Sequence, residues 1–136
     1  SIIITQKMEI IMKRFLRLFS ISLAICSLIA LLCSCGYPDF VGNKIKKADE
    51  YLLEFSALNR EEKQEINFNA GDEIQVEISI DEGEVSLSIY VKGSNDYIYR
   101  GNGFKNEKFS VTVQNAGRYV VAVKGEKAKG KIKLKF

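Results

Sequence analysis

Three features of the sequence predict an all-β fold, an antiparallel β-sandwich of about seven to eight strands with jelly-roll or Greek-key wiring behind an N-terminal signal helix. Past residue 49, apolar and polar residues alternate with a period of two in one run after another, the spacing of strands with one face on a core and one in water. Turn-forming clusters of Gly, Asn and Asp separate these runs at roughly ten-residue spacing. The 136 residues include a single Pro, and no convincing amphipathic helix follows residue 49, so the crossover helices that parallel α/β wiring requires are missing.

Residues 12–35 set the address of the chain. Lys13, Arg14 and Arg17 make a cationic leader, and the apolar run 18–32 behind them has the length of a secretory hydrophobic region and is short for a stable membrane span. The run closes on Leu32-Cys33-Ser34-Cys35. Leu32 at minus three, Ser34 at minus one and Cys35 at plus one resemble a bacterial lipoprotein lipobox, with Cys33 at minus two as the departure from that pattern. The resemblance implies that residues 12–34 are a signal peptide and that Cys35 is linked to diacylglycerol as the new N-terminus. It also implies an extracytoplasmic, lipid-anchored location on the cell membrane or outer membrane. Gly36 rather than Asp follows the Cys, which implies outer-membrane sorting in a two-membrane bacterium. Residues 1–11 lie upstream of Met12, the expected start, and are read as an extension outside the fold.

Cleavage before Cys35 leaves 102 residues, enough for one small domain. The formal charge of +3 belongs to the leader: without Lys7, Lys13, Arg14, Arg17 and Glu9, 16 basic and 16 acidic residues remain. A near-neutral domain has no electrostatic footprint for nucleic-acid binding. Its charge is nevertheless uneven, with twelve acids against Arg60 and Lys63 over 49–84, and seven bases against Glu126 over 118–136. An acidic and a basic strand lying side by side would neutralise each other; a polar partner-binding surface is the other reading. Cys26 and Cys33 leave with the signal and Cys35 carries lipid, so no thiol remains for a disulfide and stability must come from packing.

After the anchor, 35–48 reads as a tether that, at about 14 residues, reaches at most roughly 45–50 Å. The domain proper is expected over 49–136. Residues 49–58 are ambiguous, since Ile45, Tyr51, Leu52, Phe55 and Leu58 approximate helical spacing while Tyr51, Leu53, Phe55 and Ala57 alternate. The polar turn Asn59-Arg60-Glu61-Glu62 and renewed alternation at Gln64, Ile66 and Phe68 favour two strands joined as a hairpin, with a short helix before Tyr51 still compatible.

Ile74, Val76, Ile78 and Ile80 then alternate with Gln75, Glu77, Ser79 and Asp81. Asp81-Glu82-Gly83-Glu84 reads as a turn in which Gly takes positive φ, and Val85, Leu87, Ile89 and Val91 follow as the second arm of a hairpin. A short strand at 97–100 sits between Gly93-Ser94-Asn95-Asp96 and Gly101-Asn102-Gly103. Phe109, Val111 and Val113 mark the next strand. Tyr119, Val121 and Val123 mark another, whose interleaved Val120 and Ala122 suggest cover on both sides. Ile132, Leu134 and Phe136 mark the last, and the intervening Lys131, Lys133 and Lys135 read as a solvated row that discourages edge pairing.

The stretch Asn115-Ala116-Gly117-Arg118-Tyr119 with its following Val/Ala run, then Gly130 and an alternating last strand, resembles the closing half of GOLD-like and pre-peptidase-C-terminal-like sandwiches. The likeness spans residues 71–136. It implies an accessory or binding module.

The chemistry of enzymes is sparse. The sequence has no His, which removes the commonest general base, activator of Ser or Cys, and zinc ligand. Asp72, Glu73, Asp81, Glu82 and Glu84 fall in turns or at strand ends, where carboxylates are mostly solvated, and neither they nor Asn95, Asp96 and Asn102 follow EF-hand spacing. No Gly-rich phosphate loop precedes a helix. No catalytic residue, metal site or cofactor is expected. The candidate ligand platform is aromatic: Tyr90 on the polar face of its strand, with Tyr97 and Tyr99 expected on one face of the next, Phe104 close behind. Such rings stack on sugars or anchor protein contacts; packing beneath loops is the plainer reading. The expected function is a membrane-anchored, non-catalytic envelope lipoprotein that binds or scaffolds an envelope component, with a carbohydrate-binding accessory module or a purely structural part of the envelope as alternatives.

Overall fold

The computed structural model describes residues 2–32 and 36–136. Two compact units divide the chain, one ending at Gly36 and one beginning at Tyr37. In the first, helix α1 spans Ile2–Leu32, with no acidic residue in its first turn and no basic one in its last. It takes in the residues before Met12 because nothing from 2 to 32 is Gly or Pro and no cap interrupts it. Among the described residues, no helix is long and apolar enough to cross a membrane. Cys33, Ser34 and Cys35, the end of the lipobox-like motif, lie outside the described residues.

The second unit holds the strands β1 (Phe40–Lys46), β2 (Glu50–Leu58), β3 (Glu61–Phe68), β4 (Glu73–Val91), β5 (Tyr97–Asn102), β6 (Asn106–Thr112) and β7 (Gly117–Lys135). Every pairing is antiparallel. The two 19-residue strands organise the rest. β4 and β7 pair along their whole lengths, yet their outer neighbours change midway: β7 meets β3 over Gly117 to Lys124 and β2 from Ala128 on, while β4 meets β6 over Glu73 to Ser79 and β5 over Ser86 to Tyr90. The first layer is therefore β1-β2-β7-β4-β6, and the second is β3-β7-β4-β5. With β4 and β7 each counted as two halves, this is jelly-roll wiring, extended at one edge by β1.

One core joins the layers. Tyr51, Leu53, Ile74, Val76, Ile132 and Leu134 from the first meet Phe68, Leu87, Ile89, Tyr119, Val121 and Val123 from the second, all essentially inaccessible to water. Phe68 packs tilted on Tyr119 and edge-on to Phe136, with centroids 5.5 and 5.1 Å away. The Tyr119 hydroxyl donates to the Asn115 carbonyl at 2.6 Å, tying the start of β7 to its own turn.

Several expectations change. Residues 49–58 form a strand, not a helix, but β2 and β3 make no hairpin: they lie in different layers, each paired to its own half of β7. The expected hairpin across Gly83 is likewise a single strand. Gly83 does take positive φ, 76°, but it uses it in a bulged corner where β4 crosses between layers, and a Cβ there would meet the Lys127 carbonyl. Lys127 opposite is the one described non-Gly residue with positive φ, so both long strands turn the same corner. The stretch read as a tether carries β1, whose ladder along β2 satisfies backbone groups that a free tether would leave to water. The row Lys131, Lys133, Lys135 lies on a central strand between β2 and β4, where edge protection has no role.

Candidate functional site

β4 sends Val85, Leu87 and Ile89 to the core and leaves Ser86, Ser88 and Tyr90 outward. Register then fixes what stands beside each. Tyr90 lies between Val120 of β7 and Tyr97 of β5; Ser88 between Ala122 and Arg100; Ser86 between Lys124 and Asn102. β3 extends these rows with Glu65, Lys63 and Glu61. The outer face of the second layer is thus a floor of small and hydroxylated residues rimmed by aromatic, cationic and amide side chains.

The predicted platform is divided. Tyr90 and Tyr97 come together, ring centroids 5.3 Å apart and tilted by 58°. Tyr99 does not join them. A register shift after Ile89 leaves Ile98 as an extra residue, so Tyr97 faces Tyr90 outside whereas Tyr99 stands opposite Ile89 and packs against the core. There it stacks on Phe109 at 4.8 Å, close to Gly101, where a Cβ would run into its hydroxyl and into Phe104. Burial, and secondarily the charge of Glu107, push the Tyr99 hydroxyl above the usual phenol range. Phe104, expected beside the platform, is buried.

Arg100 takes the place Tyr99 leaves. Its guanidinium lies 4.4 Å from the centroid of Tyr97, which is 43% exposed. An open cleft of about 390 Å³ adjoins it, lined by Ser86, Ser88, Arg100, Gly101 and Asn102. The acids across the face are engaged: Glu61 pairs with Lys63 at 3.1 Å, and Glu65 with Lys92 at 2.9 Å and Arg118 at 3.5 Å. The Lys92 ammonium beside Glu65 holds its carboxyl below the usual range, and Glu61, with Tyr90 contributing less, holds the Lys63 ammonium above its own. Sequence reading missed Arg100, although a signal existed: regular alternation that puts Tyr97 and Tyr99 outward would bury Arg100, a conflict that a bulge resolves.

A second polar cluster lies at the seam between layers. Glu62 of β3, 9% exposed, is held by Arg60 through Nε at 2.6 Å and faces Lys44 of β1 at 3.6 Å. The hydroxyl of Tyr51, wholly buried, has no hydrogen-bond partner among the described residues. Burial first, and the charge of Glu62 second, raise it far above the ordinary phenol value. Through Glu62, the Lys44 contact ties β1 to β3. Among the described residues no cluster of three or more acidic or Cys side chains is placed to hold a metal.

No family model matches the chain, and no curated protein matches it. Solved structures similar to it include a carbohydrate-binding module described under "CBM4 structure and function", with TM-score 0.40, 7% identity, and 73% of this chain and 77% of that one covered. Another is the carbohydrate-binding module CBM6cm-2 from Cellvibrio mixtus lichenase 5A in complex with cellotriose, with TM-score 0.42, 9% identity, and coverage of 75% and 90%. A third, PirA, gives a TM-score of 0.43 at 10% identity over 67% and 94%. Likenesses at this level assign neither ligand nor activity to the chain.

Proposed function

We propose that the protein is a lipid-anchored, non-catalytic binding module of the bacterial cell envelope, and that the outer face of its second layer holds a glycan ligand. The observation that carries this reading is the outward-facing pair of half-buried Tyr90 and exposed Tyr97, with Arg100 stacked on Tyr97 beside a cleft lined by Ser86, Ser88 and Asn102. Aromatic faces stack on the apolar faces of sugar rings, while hydroxyl and amide groups at hydrogen-bonding range read ring hydroxyls. The anchor rests on the lipobox-like residues ending at Cys35.

A second reading is favoured by the same side chains: Tyr and Arg are the types on which protein interfaces concentrate their energy, so the face also suits an envelope protein. A glycan array and a pull-down from envelope extract, each run with wild type and with Tyr90→Ala/Tyr97→Ala, separate the two. Retention of a glycan by the wild type, lost in the double variant with its melting temperature preserved, supports the first. Unchanged retention of every captured ligand by a stable double variant removes the face from any binding role. For the anchor, a clickable palmitate analogue should label the wild type in a host with lipoprotein-processing enzymes and leave Cys35→Ser unlabelled; a labelled variant overturns lipidation at that residue.

A further inference from the structure

We infer that the ligand of this face is an acidic glycan, with its carboxylate received by Arg100; the inference rests on the glycan reading above. The guanidinium of Arg100 lies against the Tyr97 ring, 4.4 Å from its centroid, and among the described residues no carboxylate lies within ion-pairing distance of it. The carboxylates of β3 on this face cannot serve it, because Glu61 is taken by Lys63 and Glu65 by Lys92 and Arg118. Arg100 therefore remains an uncompensated cation at the lip of the Ser86/Ser88/Asn102 cleft.

Stacking matters for what such a group recognises. A guanidinium laid on a ring keeps the N–H donors along its edge free, in a planar fork that matches a carboxylate and is poorly matched by a single sugar hydroxyl. The ring also holds that fork in place, lowering the conformational entropy lost on binding. Directly across the strand pair stands Ser88, and Ser86 faces Asn102 one row further on. These supply donors and acceptors for ring hydroxyls, with Tyr97 beneath Arg100 and Tyr90 beside it as stacking faces. At the far end, Glu84 and Glu126 sit opposite one another beside Lys124 and would repel a second carboxylate. The charge on the ligand is thereby directed to the Arg100 end. A uronic acid residue, with one carboxylate on a hydroxylated ring, has the chemistry this arrangement receives.

The test uses the full chain titrated with tetragalacturonate and with the same oligomer fully methyl-esterified, which removes the charge and keeps the skeleton. The expected result is at least tenfold tighter binding of the acid form at low salt, with the preference shrinking as salt rises. Arg100→Gln should abolish the preference, so that the variant binds acid and ester with the same affinity while its melting temperature is preserved, and Tyr97→Ala should weaken both ligands. Equal affinity for acid and ester, both lost in Tyr97→Ala, overturns the acidic inference and leaves the glycan platform standing. A preference that survives in Arg100→Gln overturns the role of Arg100. Binding of neither oligomer by the wild type overturns both the inference and the reading on which it rests.

Discussion

Strand β7 passes through both layers and shows two different outer faces. In the first layer it presents Lys131, Lys133 and Lys135, each placed by register beside residues of β2 and β4 that include Glu54, Glu50 and Glu77. In the second it presents Val120 and Ala122, which point away from the core and are still only 7% and 6% exposed, flanked by Glu65, Lys63, Tyr90 and Ser88. On the first face Lys133 pairs with Glu50 at 3.6 Å, a base from the basic end of the sequence against an acid from its acidic stretch. The second lines up small residues in the middle and raises aromatic and cationic side chains at the rim, where Glu61 and Glu65 are taken by Lys63, Lys92 and Arg118 and Arg100 lies on Tyr97 without a carboxylate partner among the described residues. The lesson is that period-2 alternation says which residues leave the core, and cross-strand register decides whether what leaves is neutralised or available.

The largest expected effect tests the alternation both faces depend on. Val121 is wholly buried while its neighbour Ala122 lies on the outer side. Val121→Asp places an unpaired charge in the core and should cost several kcal/mol, most of the stability of a domain this size, whereas Ala122→Ser should shift it by less than about 1 kcal/mol. Similar melting temperatures for the two variants would show the assignment of faces along β7 to be wrong.

Next in size is the split among the tyrosines. Tyr99→Ala removes a ring packed on Phe109 and the core and should cost about 3 kcal/mol, while Tyr97→Ala, at an exposed ring, should cost under about 1 kcal/mol. Thermal melts of the two single variants measure the bulge directly, since regular alternation would give both residues the same loss.

Much of this was legible in the sequence. All eight alternating runs from Tyr51 to Phe136 are strands or halves of strands, and Tyr119, Val121 and Val123 are core as their spacing required. The pairing was not. Asn59-Arg60 and Asp81-Glu82-Gly83 have turn chemistry, which reads locally as a hairpin, whereas a jelly roll uses such corners to pass the chain between layers and pairs strands that are distant in sequence. β1 escaped because an edge strand with every residue after Phe40 exposed buries no alternating face to betray it. The site was half legible: Tyr90 and Tyr97 met as expected, but one extra residue, Ile98, exchanged Tyr99 for Arg100, and only the partner strand fixes where a bulge falls.

A smaller effect, of opposite sign, comes from the seam between the layers. Tyr51→Phe keeps the packed ring and removes a buried hydroxyl without a partner, so it should be neutral or stabilise by about 1 kcal/mol. It should also alter the alkaline limb of the stability curve. The folded-state pKa of Tyr51 is raised, so the protonated hydroxyl contributes stability that is complete below the unfolded phenol value near 10 and is lost as pH rises above it toward the folded value. Melting temperatures from pH 8 to 11 should therefore fall less steeply for Tyr51→Phe than for the wild type, and parallel curves would show that the hydroxyl is solvated.

The smallest effect belongs to the neutralised face. Lys133 and Glu50 stand 3.6 Å apart with about a third and a quarter of their side chains exposed, so water and salt screen the pair and ordering two long side chains offsets most of its attraction. A double-mutant cycle of Lys133→Ala and Glu50→Ala should give a coupling of about 0.5 kcal/mol or less, vanishing at high salt. Because Lys133 also lies in register with Glu77 and Leu52, loss of Glu50 leaves it other company, which keeps the coupling small. A coupling several times larger would mean that the lysine column acts as one network fastening β2 to β7, and the outer face of the first layer would then rank with the core as a source of stability.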